Sequence, residues 1–312
     1  LIGPECRREL GDELARIAPA ELLVPESLMD DELFRFRVNA VLSAGAEERR
    51  IKNDGEDMLR LHFRVASLEG LGLAERPLAA RAVAMILEFL QRTQKRSLEY
   101  LDKLTVYERG EFMFLDVATR RNLELTATIR GNKQQGSLLS VIDHTRTAMG
   151  SRLLRQWLES PLLDAAAVNR RVDAVTEFID QALVLDELRE KLPGLYDIPR
   201  LVSRICYGSA GPRDLAALRA TLALLPDLFR LLCKLNGSMF SVLLDSFDQL
   251  DDIYELLAGG LAADPPLSAR DSGVIRPEYS PEVDGLRALA GSAKDLLLKM
   301  EAEERDKTGI RN

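Results

Sequence analysis

The sequence predicts a mainly α protein opened by an α/β segment, and three observations support that reading. One apolar run bounded by proline lies near the start, apolar residues recur at helical spacing through the middle, and a seam of alternating three- and four-residue steps runs along the end. From Glu9 to Ile17 a short helical pattern leads through Pro19 into "AELLVPE", which reads as a buried strand after a helix. A charged, weakly patterned stretch follows to about Arg64. Then "AERPLAARAVAMILEFLQRTQKRSLEYL" begins a helix with Pro77 in its first turn and sets Val83, Leu87 and Leu90 on one face. From there strand signals nearly vanish. "LDAAAVNRRVDAVTEFI" offers Asp164 as an N-cap and a stripe of Val168, Val172, Val175 and Ile179, while "GPRDLAALRATLALLPDLFRLL" starts on Gly211 and Pro212 and aligns Leu218, Leu222 and Leu225. The expected organisation is an α/β segment over 1–104, an all-helical domain over 105–275 and a distinct final segment over 276–312. In that last segment Leu286, Leu289, Ala293, Leu296 and Met300 form a narrow seam suited to one partner helix, and the same positions continue as Glu303 and Lys307. A helix from Pro281 to Thr308 would be roughly 40 Å long, with an apolar stripe that stops before its end. Such a helix reads as an arm directed outside the body.

Composition narrows the function. The chain has 312 residues, 46% of them hydrophobic and 5% aromatic, enough for real cores and for more than one domain. Lys and Arg number 42 against 50 Asp and Glu, a net charge of −8, so contact with nucleic-acid phosphate must be local. The longest uncharged run, Leu235 to Leu244, is far shorter than the ~18 residues of a membrane span, and "LIGPECRREL" is not an export signal. No membrane partner is expected. Cys6, Cys206 and Cys233 are odd in number and widely spaced, which predicts neither a disulfide framework nor a metal knuckle. The expected compartment is the reducing cytoplasm. A first residue other than Met suggests a piece of a longer chain.

Chemistry is sparse. With His62 and His144 the only histidines, neither a metal site nor a histidine-activated nucleophile has its parts. "SVIDH" places Ser140, Asp143 and His144 close in sequence, but neighbours on a helix point apart and no glycine elbow surrounds the serine. "GNKQQGSLL" follows the glycine spacing of a phosphate-binding loop up to Gly136, where Ser137 and Leu138 stand in place of Lys and Ser or Thr. An inter-helix loop is the better reading. Between Arg120 and Arg155, the cations Arg120, Arg121, Arg130, Lys133, Arg146, Arg152 and Arg155 face only Glu124 and Asp143. Phosphate contact is one reading of this window; guanidiniums bridging helices is the preferred one, because no aromatic residues are interleaved for base stacking.

The stretch "LDVATRRNLEL" concentrates these polar groups. Asp116 is an expected N-cap, and steps of four, three and four along Ala118, Asn122, Leu125 and Ile129 turn Asn122 toward the core. Arg120 and Arg121 lie one turn from Glu124, at the spacing of local ion pairs. Asp116, Arg120, Arg121, Asn122 and Glu124 together read as an orienting joint between helices.

From Phe112 to Val175 the sequence resembles the MutS family of DNA mismatch repair proteins. The residues that carry the resemblance are Leu115, Asp116, Ala118, Arg120, Arg121, Asn122, Leu123 and Glu124; Gly136, Ser137 and Leu138; then Asp143, Thr145, Thr147, Met149, Gly150, Arg152, Leu153, Leu154, Trp157, Leu158, Pro161 and Leu162. It continues through "RLVSRICYGSAGPRDLAALRATLALLP", "DPPLSARDSGVIRPEYSPEVDGLRALA" and "ERDKTGI", and upstream through "LARIAPAELLVPESL" and "ASLEGLGL". It departs from the family pattern at Glu278, where a glycine commonly precedes the tyrosine, here Tyr279.

The resemblance implies a partial α/β connector domain over 1–104, a helical core domain over 105–275 and an ascending lever helix over 276–312 that leads to a clamp. It implies that the mismatch-reading domain, the rest of the clamp, the descending lever and the ATPase domain lie outside this chain. The parent protein would be a dimeric clamp that binds mismatched double-stranded DNA, uses ATP and Mg and engages downstream repair factors. This segment would be noncatalytic, hold no cofactor of its own and link DNA binding to the ATPase domain. An autonomous helical scaffold that binds a protein partner through its apolar seam is the alternative. Lys307 and Arg311, at the far end of the arm, are the expected DNA contacts on position alone.

Overall fold

The computed structural model describes residues 6–32, 34, 40–45, 48–93, 98, 100–106 and 112–309. It is mainly α, with one two-stranded sheet near the N-terminus. Two compact units divide it, Leu1–Val175 and Thr176–Asn312.

In the first unit, α1 (Cys6–Ile17) precedes β1 (Glu21–Val24), the strand expected in "AELLVPE". β1 pairs in parallel with β2 (Val41–Ala44), from Glu21 opposite Val41 to Val24 opposite Ala44. Leu14, Val24 and Phe34 are buried together, with Leu10, Leu22 and Leu42 packed around them. The charged stretch to Arg64 contains both β2 and α2 (Glu48–Phe63), neither of which its weak periodicity predicts. α2 packs on α3 (Pro77–Thr93), which begins on Pro77 as expected. Leu59, Leu73, Ala84 and Leu87 are almost wholly buried between them, flanked by Val83 and Leu90. Each buried leucine contributes about 1.5–3 kcal/mol of transfer free energy, so this cluster is a substantial apolar store of the unit.

Short helices follow: α4 (Val117–Asn122), α5 (Leu138–Ile142) and α6 (Ala148–Glu159). α7 (Ala165–Asp180) starts where Asp164 accepts from the amides of Ala166 and Ala167, both at 3.1 Å. The Arg171 guanidinium lies 3.6 Å from the centroid of the Trp157 ring, a cation–π contact between α6 and α7. The expected core stripe of α7 is a correction: Val168, Val172, Val175 and Ile179 are 40–68% exposed and Ala174 is the buried residue. Periodicity locates an apolar face, but a neighbouring element has to cover it.

In the second unit, α8 (Ala182–Lys191), α9 (Ile198–Cys206), α10 (Pro212–Leu222), α11 (Leu225–Leu232), α12 (Ser238–Asp245) and α13 (Asp251–Gly260) are joined by tight turns. Leu201, Leu218 and Leu222 form one of its buried clusters with Leu225, Tyr254 and Leu257, in keeping with the stripe read on α10. The Glu177 carboxylate accepts from the amides of Asn236 and Gly237, closing the turn before α12. Gly237 makes this approach possible, because a Cβ there would lie 2.6 Å from Glu177 Oε2. The chain ends in α14 (Pro281–Thr308), which has the bounds read from its sequence.

Candidate functional site

The polar stretch around α4 is built as a capped turn. Asp116 accepts from the Thr119 amide at 2.6 Å, and Leu115 before it is buried. α4 stops after six residues, and Glu124 adopts a left-handed φ of +47°. The Glu124 carboxylate then accepts from the Ile129 amide at 2.6 Å. Backbone bonds from Leu138 N to Glu124 O and from Leu139 N to Leu125 O, at 3.0 and 2.9 Å, bring the loop back and bury Leu125 and Leu139.

Two expectations are corrected here. Asn122 is exposed, and its side chain makes no hydrogen bond among the described residues. The helix ends at Asn122, so the four–three–four spacing crosses a turn, and only Leu125 of that set is buried. Nor do Arg120 and Arg121 pair with Glu124, whose carboxylate is engaged by the Ile129 amide.

Arg120 instead lies half-buried in a cleft of about 500 Å³ lined by Glu13, Arg16, Phe112, Leu115 and Glu159. Its Nε is buried and has no hydrogen-bond partner among the described residues. Burial lowers the Arg120 pKa and Glu159 opposes the shift, leaving the group charged at any physiological pH. Glu13 accepts from Arg16 Nε at 3.1 Å, and Glu159 accepts from Arg155 Nε at 3.1 Å. α1 thus meets α4, and Glu159 of α6 lines the same cleft, which alternates in charge. Glu13 and Glu159 balance Arg16 and Arg120, so the cleft carries no net charge to attract a polyanion.

The glycine loop does not fit a nucleotide. Gly131 and Gly136 have positive φ, but the Gly136 amide donates to Ser140 Oγ at 3.0 Å, and buried Ser137 caps α5 while donating to Gln134 O at 2.6 Å. The donor set a triphosphate and its Mg²⁺ would need is used internally, and no lysine follows Gly136. Neither do the residues of "SVIDH" converge. Ser140 Oγ is bound within its own turn and His144 is exposed, while Asp143 accepts from Thr145 N and Oγ1 at 3.1 and 2.6 Å and from Ser151 Oγ at 2.7 Å. Among the described residues no three His, Cys, Asp or Glu side chains are grouped to hold a metal, and no helix is long and apolar enough to cross a membrane. His62, in the last turn of α2, is bound through Nε2 to Leu101 O at 2.8 Å.

The Thr145 and Ser151 hydrogen bonds hold the Asp143 carboxyl below its usual range. A depressed pKa adds stability above the unfolded value of about 3.9, and that increment is lost as pH falls through the folded value. Asp143→Asn is therefore expected to be less stable than the parent sequence at pH 6, with the gap narrowing below pH 4. Urea midpoints of both proteins at pH 6 and pH 3 check this.

The foot of α14 is the second site; the sequence reading singled out Glu278 there, but not Ser280, Asp284 or Arg287. Ser280 caps the helix by accepting from Val283 N at 3.4 Å. Asp284 Oδ2 accepts from Glu278 N at 2.8 Å, while its Oδ1 accepts from Arg287 Nη1 at 2.9 Å. Arg287 Nη2 donates to Ile275 O at 2.6 Å. Ile275 forms an antiparallel bridge with Leu261, closed by Ala262 N to Val274 O at 3.0 Å and Arg276 N to Gly260 O at 2.8 Å. From α10, Arg219 donates to the carbonyls of Leu261, Ala262 and Ala263 at 3.1, 2.9 and 2.7 Å. The available signal was Asp284 and Arg287 at i, i+3 just after a Ser-Pro helix start; Arg219 had none.

Glu278 takes a glycine-like backbone conformation in this turn: its φ is +70°. A left-handed glutamate is strained, so Glu278→Gly is expected to raise stability by about 0.5–1 kcal/mol, read as a higher urea midpoint.

At the far end, Lys307 is exposed and paired with Glu304 at 3.0 Å, and Arg305 is paired with Glu301 at 2.9 Å. Glu303 and Asp306 add two more acids to these turns. Arg311 lies outside the described residues.

Fold and sites define a class: a mainly helical protein, opened by a small parallel α/β element and closed by a long helix tied down at its foot. Comparison with known proteins makes this particular. The model of MutS domain II matches residues 3–102 and that of MutS domain III matches residues 118–308. The chain belongs to the MutS family. It is 41% identical over 302 residues to the DNA mismatch repair protein MutS of Halothermothrix orenii, covering 96% of this chain and 34% of that protein. The corresponding values for Alkaliphilus metalliredigens MutS are 39% over 310 residues, 96% and 35%, and for Alkaliphilus oremlandii MutS 36% over 318 residues, 100% and 36%. The chain thus spans about a third of the length of these curated relatives. Around Arg120, the cleft takes Glu13 and Arg16 from the part that matches domain II, and Arg120 and Glu159 from the part that matches domain III.

Proposed function

We propose that the chain is the noncatalytic connector, core and lever segment of a MutS-type DNA mismatch repair protein, linking mismatched-DNA binding to the ATPase domain of its parent. The observation that carries this reading is α14. At the standard rise its 28 residues span about 42 Å, its tertiary hydrogen bonds come from Asp284 and Arg287 near its start, and its described side chains beyond Arg287 are exposed. A helix held at one end moves its other end when the hold shifts, which is what coupling of two distant sites requires.

The proposed division is connector over 1–104, core over 105–275 and ascending lever over 276–312. The Asp116, Arg120, Arg121 and Glu124 turn acts as the joint between connector and core. ATP and Mg²⁺, the homodimer partner and the downstream repair factors belong to the parent protein, whose place is the cytoplasm. Lys307 and Arg311 are the proposed phosphate contacts of the arm.

Titration of this chain and of the full-length parent with matched and mismatched duplexes at physiological salt, alongside ATP hydrolysis, tests the proposal. The chain alone is expected to bind duplex weakly, with little mismatch preference and no hydrolysis, since phosphate contact carries no sequence information. Hydrolysis by the chain alone, or a sharp mismatch preference, overturns it. The exposed seam residues Leu286, Leu289 and Met300 favour a second reading, a scaffold for a protein partner. That reading predicts no nucleotide dependence of duplex binding in the parent.

A further inference from the structure

We propose that Arg287 and Asp284 are positioning residues that set the direction of α14, and that in the parent chain they convert small movements of the Leu261–Ile275 bridge into displacement of the arm. The inference rests on the linking role proposed above. It comes from where α14 is held. One hold is the capped foot, where Ser280 and the Glu278 amide meet Val283 and Asp284. The other is the Arg287 guanidinium, which reaches twelve residues back to the Ile275 carbonyl while its second arm remains on Asp284. Both side chains are about one-third exposed, so the pair is bound yet free of the tight packing that would freeze it.

The two holds are about 10 Å apart along the axis, and the helix runs about 42 Å. A rigid helix pivoting at its foot therefore multiplies a displacement at Arg287 about fourfold at Thr308. The Ile275 carbonyl does not float. Ile275 bridges Leu261, and Arg219 ties the Leu261, Ala262 and Ala263 carbonyls to α10. A path of hydrogen bonds thus runs from α10 through the bridge to Arg287 and on to the arm. A guanidinium suits this place because its planar fork serves an acid and a carbonyl at once; an ammonium offers a point charge without that fixed geometry.

The test uses the full-length parent carrying Arg287→Gln, Arg287→Lys or Asp284→Asn, read by thermal unfolding, basal ATP hydrolysis without DNA, and stimulation of nucleotide release by a mismatched duplex. Arg287→Gln is expected to leave basal hydrolysis within twofold and to reduce the stimulation at least fivefold, with Arg287→Lys recovering part of it. If Arg287→Gln does not fold, Asp284→Asn decides, with an expected loss of about threefold in stimulation and basal hydrolysis within twofold. Unchanged stimulation, or basal and stimulated rates falling in the same ratio, overturns the proposal. Gly291→Pro, which breaks α14 where an added Cβ would meet no other atom of the described residues within 4 Å, separates the two readings. Stimulation that survives Gly291→Pro defeats the linking role itself. Stimulation lost with Gly291→Pro but kept with Arg287→Gln defeats the positioning role alone.

Discussion

Arg219→Met is expected to destabilise the Thr176–Asn312 unit by about 3 kcal/mol. Methionine keeps most of the stem and removes the guanidinium. Three charge-assisted bonds disappear, and the Leu261 carbonyl, on a buried residue, loses the side-chain donor that faces it. Each such bond is worth about 1.5–3 kcal/mol, discounted here because the Ala263 carbonyl lies at an exposed residue and water can replace the donor. Surface pairs of similar appearance, such as Arg305 with Glu301, belong near 0–1 kcal/mol, so Arg305→Met serves as the control. Urea unfolding followed by far-UV dichroism measures both. A loss at Arg219 no larger than that at Arg305 would show that the three carbonyls are equally well served by water.

Thr221→Val is expected to cost about 2 kcal/mol although it conserves shape. Thr221 is fully buried; its hydroxyl donates to Ala217 O at 3.0 Å and accepts from Tyr196 N at 3.0 Å. Valine fills the same space and leaves the Tyr196 amide without an acceptor. Thr221→Ser should retain both bonds and lose only a methyl group, costing about 1 kcal/mol. Amide exchange at Tyr196 distinguishes the two variants, being accelerated by valine beyond the change in global stability and by serine only in proportion to it.

Local periodicity carried much of the fold. The Val83, Leu87 and Leu90 face, the Leu218, Leu222 and Leu225 face and the bounds of α14 were all readable, because spacing, a first-turn proline and an N-cap are properties of the nearby chain. What depends on distant partners was not. β2 is four residues long and exists through pairing with β1, and α2 hides behind a charged first half and an interior glycine, Gly55. The α7 stripe is an apolar face left 40–68% exposed among the described residues, and Asn122 was misplaced because a helix period was extended past the end of the helix. Asp116 was legible as a cap for the opposite reason, since its acceptor and its donor are three residues apart. Arg219 reaches 42 to 44 residues along the chain, and no window of sequence contains both ends of that contact.

Trp157 is the chain's sole tryptophan, and the Arg171 cation lies over its ring. Its fluorescence is therefore a single-site optical gauge of whether α6 and α7 stay stacked. Loss of the cation would change the emission before either helix melts, with no dye or label attached. The Thr176–Asn312 unit is dark at tryptophan wavelengths, so a perturbation that dims or shifts this light has reached the N-terminal half of the molecule.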